Sequence, residues 1–179
     1  MEQTEKLDFL IQSLVKLSRM ESGIIAVHSE DTTITQMLES IQQQFNVKVR
    51  EKNITLSLCD TDLHVRCDPK WTVEAIGNIV DNAIKYTACG GNVQVKAEQN
   101  SSFVKIDIID DGIGIEKEEI PKIFGRFYRS LSVADQPGVG IGLFLAREII
   151  QAQKGYIKVT SEREKGSTFS VFLPIAKKE

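Results

Sequence analysis

The sequence predicts an α+β protein, a two-layer sandwich of helices on a mixed, mostly antiparallel sheet. Apolar residues recur at helical spacing in several segments, as Ile34, Met37, Leu38 and Ile41 do. Other segments alternate apolar and polar residues, as 103–110 does, which is typical of half-buried strands. The helical segments come in blocks beside predicted hairpins, and this arrangement favours two layers.

Length and composition allow one domain with a core and a short appendage, because the chain has 179 residues. A net charge of −3 and a pI near 5.5 argue against a nucleic-acid binder, which normally carries a basic stripe. No apolar run reaches the roughly 20 residues of a membrane span, and no signal peptide opens the sequence. We therefore expect this chain to be cytoplasmic.

The first segment, 5–22, is predicted to be a helix with an apolar seam typical of helix bundles and coiled coils. The seam consists of Leu7, Leu10, Leu14 and Leu17. The alternative is a single amphipathic helix lying on the core of its own domain. Because Ser22-Gly23 is a helix stop, we expect an appendage at 1–23 and a compact domain at 24–179.

The remaining elements follow from their boundary residues. Asp68-Pro69 predicts a helix start, with Asp as the cap and Pro in the first turn, and that helix runs to about Thr87. Other helices are predicted from Thr33, near 116–124 and from Gly142 to Lys154. The predicted strands are 24–29, 54–59, 63–66, 92–99, 103–110, 156–162 and 167–173.

The cysteines Cys59, Cys67 and Cys89 form no disulfide pattern, so we expect reduced thiols. Cys59, His64 and Cys67 are close enough in sequence to suggest zinc ligands. They lack a fourth partner and the paired spacing of zinc sites, so ordinary strand packing is the favoured interpretation.

The helix that starts at Pro69 carries a polar stripe that occupies roughly a 100° arc. Its members are Glu74, Asn78, Asp81, Asn82 and Lys85. A solvated face is the simplest interpretation, but asparagine is a poor helix former. Amide oxygens can ligate Mg²⁺ and a lysine suits phosphate, so a binding face is the alternative.

Two glycine-rich segments follow this helix in the sequence. In 110–115, an aspartate at a strand end precedes glycines, and its carboxylate is suited to accept from the exocyclic amine of adenine; a simple turn is the alternative. In 138–143, glycines precede an apolar helix and expose backbone amides to an anion. The segment lacks the Lys-Ser/Thr of a Walker A loop and the third glycine of a dinucleotide fingerprint.

In order and spacing these segments resemble the motifs of the ATP-binding domain of sensor histidine kinases, within the Bergerat-fold superfamily of gyrase, Hsp90 and MutL. The N box looks like 78–87, the first G box like 110–114, the F box like 123–129 and the second G box like 138–143. The resemblance extends over 5–175 and includes the ending at 166–174. It implies a Bergerat sandwich that binds ATP and Mg²⁺.

The resemblance also implies individual roles. Asn82 would coordinate Mg²⁺, Asn78 would line the phosphate region, and Asp110 would accept from the adenine amine. Lys85, Tyr86, Tyr128 and Arg129 would contact phosphates or the nucleotide edge; Gly112, Gly114 and Ile115 would shape the adenine pocket; Gly138, Gly140, Ile141, Gly142 and Leu143 would form the hinge and phosphate cradle; and Thr168 would lie under adenine. Residues 125–140 would be a mobile lid.

The first helix resembles the second helix of the dimerisation and phosphoacceptor bundle, where Leu-Ser-Arg-Met-Glu, residues 17–21, is typical. Implied partners are the phosphoacceptor helix of the same kinase, a response regulator and, in the intact protein, a second copy; the parent would lie in the cell membrane. Neither His28 nor His64 has the phosphoacceptor context. We therefore expect the acceptor histidine elsewhere and no autophosphorylation of this chain alone.

Two other functions stay open from the sequence. One is a Bergerat-fold ATPase. The ATPases of this superfamily are similar in carrying a glutamate at the position of Asn78, where it acts as general base on water, and an amide cannot take up the proton of that water. The other is a nucleotide-sensing interaction module whose working surface is the first helix.

Overall fold

The computed structural model describes residues 27–133, 136 and 138–176, and also the helical positions Ile11, Val15 and Ser18. The leucine seam predicted in the first helix and most of the predicted appendage at 1–23 lie outside the described residues. Ile11 and Val15 are 53% and 44% exposed.

The predicted α+β sandwich with a mixed, mostly antiparallel sheet is confirmed. The main sheet has five strands in the order β2-β4-β5-β7-β6, and only the β2–β4 pair is parallel. A separate antiparallel pair joins β1 to β3. The strands are β1 Glu30–Thr33, β2 Thr55–Leu58, β3 His64–Cys67, β4 Asn92–Gln99, β5 Phe103–Asp110, β6 Tyr156–Glu162 and β7 Gly166–Pro174.

The helices that bear on the site are α1 Ile34–Glu51, α2 Pro69–Tyr86 and α3 Gly142–Ala152. The side chain of Thr33 caps α1 and that of Asp68 caps α2, by accepting from amides of their first turns. No such side-chain cap is found at the start of α3 in the described part of the chain. The first amides of α3 therefore remain available to a ligand.

One face of the main sheet forms the core, because alternate residues of each strand point to the same side. Along β5, Val104, Ile106 and Ile108 are fully buried, and Asp110 continues this inward series at the strand end. The inward face of α2, which includes Ile76 and Ile79, belongs to the same core. The alternation of β5 therefore directs an aspartate toward the helices at the edge of the core.

A buried amide ties the start of α2 to the end of α3. The side-chain oxygen of Gln153 accepts from the backbone amide of Asp68 at 2.6 Å and from the hydroxyl of Thr72 at 3.2 Å. Its nitrogen donates to the carbonyl of Ile149 at 3.3 Å. These bonds hold the end of α3 against the start of α2. At the other end of α3, a Cβ added to Gly142 would lie 3.2 Å from Asn78 Oδ1.

Two predicted elements differ from the structure. The predicted helix at 116–124 is wrong: the segment forms successive turns with scattered backbone hydrogen bonds. Pro121 explains this, because proline has no amide to donate and disfavours helix in the residue before it. Residues 24–26 of the strand predicted at 24–29 lie outside the described residues, and residues 27–29 form neither helix nor strand; β1 begins at Glu30.

No helix among the residues that the structure describes is both long and apolar enough to cross a membrane.

Candidate functional site

A cavity opens between the polar side of α2, the end of β5, the start of α3 and the segment that precedes α3. From α2 it is lined by Asn78, Asp81, Asn82, Ala83, Lys85 and Tyr86. The sheet side contributes Asp110, Ile113, Gly114, Ile115, Ser167 and Phe169. The remaining wall consists of Glu119, Ile123, Tyr128, Arg129, Ser130, Ser132, Val133 and residues 138–143.

Hydrogen bonds from two directions close the end of α2. The last carbonyls of a helix lack partners within it and need outside donors. The ammonium of Lys52 donates to the carbonyls of Ile84 and Lys85 at 2.9 and 2.6 Å. The amide of Ile113 donates to the carbonyl of Tyr86 at 3.3 Å. The positive charge of Lys52 also suits the negative end of the helix dipole. These hydrogen bonds hold in place Lys85 and Tyr86, the last residues of α2 that line the cavity.

Asp110 forms the sheet-side end of the cavity and is only 8% exposed. Its carboxylate accepts from the amide of Gly112 at 2.9 Å and from the amide of Ser167. Burial raises the pKa of this carboxyl, the two amides oppose the shift, and the charge of Asp111 adds to it. A carboxylate has more lone pairs than these two amides use, so it can still accept from a ligand amine.

The turn between β6 and β7 packs directly against the first glycine segment. Gly114 has a φ of +69°, and a Cβ there would lie 2.1 Å from the carbonyl oxygen of Glu162. The amide of Glu164 donates to the carbonyl of Ile113 at 2.8 Å. Glycine is therefore required at 114 both for its backbone conformation and for this approach.

The opposite end of the cavity is suited to an anion. The amides that open α3 have no side-chain cap, and the positive end of the helix dipole lies there. Lys85 comes close to the second glycine segment, since its Nζ lies 2.8 Å from the position of a Cβ on Gly138. The same ammonium lies 4.7 Å from the ring centroid of Tyr86 and donates to its hydroxyl at 3.1 Å.

Three polar side chains of the cavity, Asn78, Asp81 and Glu119, already have partners. The side-chain nitrogen of Asn78 donates to the carbonyl of Glu74 at 3.0 Å, which leaves its oxygen on the side of α3. Asp81 pairs with Lys48 at 2.5 Å. Glu119 accepts from the hydroxyl of Tyr128 at 3.2 Å.

The segment that precedes α3 is partly held by its own arginine. The guanidinium of Arg129 donates to the carbonyl of Val133 at 2.9 Å and to that of Gln136. Arg129 nevertheless lines the cavity. The predicted contact of Arg129 with phosphate would thus compete with hydrogen bonds inside its own segment.

All the predicted site residues except Gly112 and Thr168 line the cavity. The individual role of each predicted site residue remains a prediction. Gly112 lies behind the cavity, where a Cβ would meet the carbonyl of Tyr86 at 2.6 Å. Thr168 alternates away from the cavity, and its neighbours Ser167 and Phe169 line it instead. The apolar series Phe169, Val171 and Leu173 was the signal that places position 167, and not 168, inward.

The three residues considered as zinc ligands contact different parts of the protein. Cys67 is buried in the core, where burial raises the pKa of its thiol to about 11. His64 pairs with Asp31 at 2.6 Å on the surface. Within residues 27–133, 136 and 138–176, no group of three or more His, Cys, Asp or Glu side chains is arranged to hold a metal ion.

The cavity has a buried carboxylate at one end, and uncapped helix amides beside a lysine at the other, an arrangement suited to a nucleotide. The chain belongs to the family of histidine kinase-, DNA gyrase B- and HSP90-like ATPases, which it matches over residues 67–177. It is therefore an ATP-binding domain, and the resemblance seen in the sequence is confirmed.

Among its relatives, the chain is 32% identical over 177 residues to the sensor histidine kinase WalK of Bacillus subtilis, covering 96% of this chain and 29% of WalK. The chain thus spans less than a third of that relative. The structure of the mycobacterial sensor histidine kinase MprB is 26% identical, with a TM-score of 0.73, over 83% of this chain and 98% of that one. The histidine kinase ThkA in complex with the response regulator TrrA is 22% identical, with a TM-score of 0.71, over 94% of this chain and 50% of that one, and shows the fold alone.

Replacing Gly114 by Ala tests the contact between the turn and the glycine segment. We expect Gly114→Ala to lower the free energy of unfolding by about 3 kcal/mol or more, because the added methyl overlaps a backbone carbonyl. The matched control is Gly90→Ala, which also has a positive φ, +82°, but nothing within 4 Å of the added atom. It should cost only about 1 kcal/mol of backbone strain. Equal losses in urea unfolding would contradict the close approach.

Proposed function

We propose that this chain is the catalytic domain of a two-component sensor histidine kinase and that it transfers the γ-phosphoryl group of ATP to a histidine outside these residues. The position of Asn78 carries the proposal. Its side-chain amide lies beside the start of α3. At this position the Bergerat-fold ATPases that the chain resembles carry a glutamate that activates water. A cavity that binds ATP without a base there holds a phosphoryl donor ready for another nucleophile.

The polarity of the cavity supports one orientation of ATP. The adenine amine would donate to Asp110, the acceptor at the sheet-side end, while Ile115 and Phe169 offer apolar surface nearby. The phosphates would meet the uncapped amides of α3 and the ammonium of Lys85. The cavity thus offers an acceptor at one end and positive groups at the other, which suits a ligand with a base at one end and anions at the other.

Mg²⁺ fits the donors present. Asn82 lines the cavity, and its side chain carries an amide oxygen, a ligand type that hard cations accept; Asn78 lies one turn before it. Among the described residues, no three or more His, Cys, Asp or Glu side chains are grouped to hold a cation, and Mg²⁺ commonly takes most of its ligands from phosphates and water. When bound, the ion would offset the charge of the phosphates. We propose Asn82 as its protein ligand.

In the proposed reaction, the bond between the γ-phosphorus and its bridging oxygen breaks while an imidazole nitrogen of the acceptor bonds to phosphorus. ADP leaves with the bonding electron pair, and the imidazole loses its proton to solvent. The protein contributes positioning and positive charge, which is what phosphoryl transfer mostly requires. Lys85 and the amides of α3 are the groups of this chain that would stabilise the transferring phosphoryl.

The hydrolytic alternative finds little support in the cavity. The carboxylates that line it are Asp81, Asp110 and Glu119. Asp81 is paired with Lys48, and Glu119 accepts from Tyr128. Asp110 belongs to the end that accepts the base. None of these three is placed as Asn78 is, beside the start of α3.

We further propose the partners and the setting that a kinase domain of this type requires. Residues 1–23 would be the second helix of a dimerisation bundle, and 24–179 the catalytic domain. The acceptor would be the phosphoacceptor helix of the same kinase, which would act as a homodimer. We propose a response regulator as the next recipient, the kind of protein that ThkA binds in its complex with TrrA. The domain would work in the cytoplasm as part of a parent in the cell membrane.

Asp110→Asn tests the position of the base. The amide places a donor opposite the adenine amine, which should cost ~1–3 kcal/mol, or roughly ten- to hundredfold in the Kd for ATP. The control is Asp107→Asn on the same strand, because Asp107 bonds Ser170 on the outer face of the sheet. It should bind ATP as the parent does. Calorimetric titration decides, and unchanged affinity in Asp110→Asn would remove the base from this end of the cavity.

Phosphotransfer is tested by mixing the chain with a phosphoacceptor helix of a sensor kinase and γ-labelled ATP. We expect label on the helix as acid-labile, alkali-stable phosphohistidine, and much less with the Asp110→Asn variant. Free phosphate at a steady rate with no phosphohistidine would establish an ATPase. Nucleotide binding with neither product would favour a sensing module.

A further inference from the structure

The hydroxyl of Ser161 on β6 joins the two sides of the base-binding end. It accepts from the amide of Ile115 at 2.8 Å and donates to the carbonyl of Gly166 at 2.9 Å. It also lies 2.9 Å from the hydroxyl oxygen of Ser167, its cross-strand partner on β7. One side chain thus contacts the first glycine segment and the start of β7.

The direction of the bond between the two serines follows from counting hydrogens. A hydroxyl has one hydrogen and two lone pairs. The carbonyl of Gly166 can only accept, so it takes the hydrogen of Ser161, and the amide of Ile115 can only donate. The remaining contact therefore requires that Ser167 donate its hydrogen to Ser161. All three hydrogen-bonding capacities of Ser161 are then used.

This direction decides what the cavity presents to a base. Ser167 lines the cavity and is only 7% exposed, and its amide donates to the Asp110 carboxylate. With its hydrogen turned toward Ser161, the hydroxyl of Ser167 offers only lone pairs to the cavity. The carboxylate and the hydroxyl oxygen then form a surface of acceptors, which matches a ligand that donates.

We propose that Ser161 is a positioning residue for recognition of the exocyclic amine of adenine: it keeps the hydroxyl hydrogen of Ser167 away from Asp110. This inference rests on the proposed binding of ATP. Without the Ser161 hydroxyl, the hydrogen of Ser167 is free to turn toward the carboxylate, where it competes with the amine of the ligand. The amide of Ile115 and the carbonyl of Gly166 lose a partner at the same time.

The experiment compares the Kd of ATP with that of purine riboside triphosphate, which lacks only the exocyclic amine. The ratio of the two values measures recognition of the amine and cancels changes that affect the phosphates or the fold. For the unmodified chain we expect ATP to bind roughly ten- to hundredfold more tightly, because an unused buried acceptor is costly. In Ser161→Ala the ratio should fall about fivefold or more.

Two comparisons separate this role from a loss of structure. Ser170→Ala removes a hydroxyl on the opposite face of β7 that bonds Asp107 at 2.5 Å, and should keep the parent ratio. Ser161→Thr and Ser161→Val have nearly the same shape and differ in the hydroxyl, so only the first should keep the ratio. This pair decides the matter if Ser161→Ala fails to fold.

A parent ratio in both Ser161→Ala and Ser161→Val would overturn the inference while leaving ATP binding intact. If the unmodified chain binds neither nucleotide, the proposed function itself fails. If it binds both equally, then neither Asp110 nor Ser161 recognises the amine, and this inference fails with the assignment of the base.

Discussion

The end of α2 is the constraint on which the rest of the site depends. A helix cannot leave its last carbonyls without donors in a half-buried place, and here the donors come from Lys52, the residue that follows α1, and from the first glycine segment. Lys52 bonds two of these carbonyls and the amide of Ile113 bonds a third. One set of bonds thus holds Lys85 and Tyr86 in place and draws the glycine segment against the helix. The same bonds therefore hold in place both the end of the cavity at Asp110 and the end at Lys85.

The start of α3, in contrast to the end of α2, lacks hydrogen-bond partners from side chains of its own cap residue. The first amides of α1 and α2 are capped by side chains, whereas those of α3 are left to the cavity. The buried Gln153 network secures the far end of α3, so the helix stays in position although its first turn has no cap. An uncapped helix start beside Asn78 is a reasonable place to hold phosphates, since the amides gain partners when the ligand binds.

Much of the fold and of the site was predictable because the signals are local. Asp68-Pro69 predicts the start of α2, and the alternation along β5 predicts that Asp110 turns inward. The alternation of β7 turns Thr168 away from the cavity, whereas the role predicted for it came from the resemblance. Lys52 and Ser161 were not foreseen: each acts through partners distant in sequence, 46 positions away for Ser161 and Ile115. No periodicity or motif reports such pairs, and Pro121 shows how one residue can cancel a helical pattern.

We propose that the cavity holds ATP with its base at Asp110 and its phosphates at the start of α3. A crystal structure of the chain with a non-hydrolysable ATP analogue and Mg²⁺ tests it most directly. The account predicts the adenine amine within hydrogen-bond distance of the Asp110 carboxylate, and phosphate oxygens at the amides that open α3 and at Lys85. A nucleotide bound in the reverse direction, or outside this cavity, would contradict it.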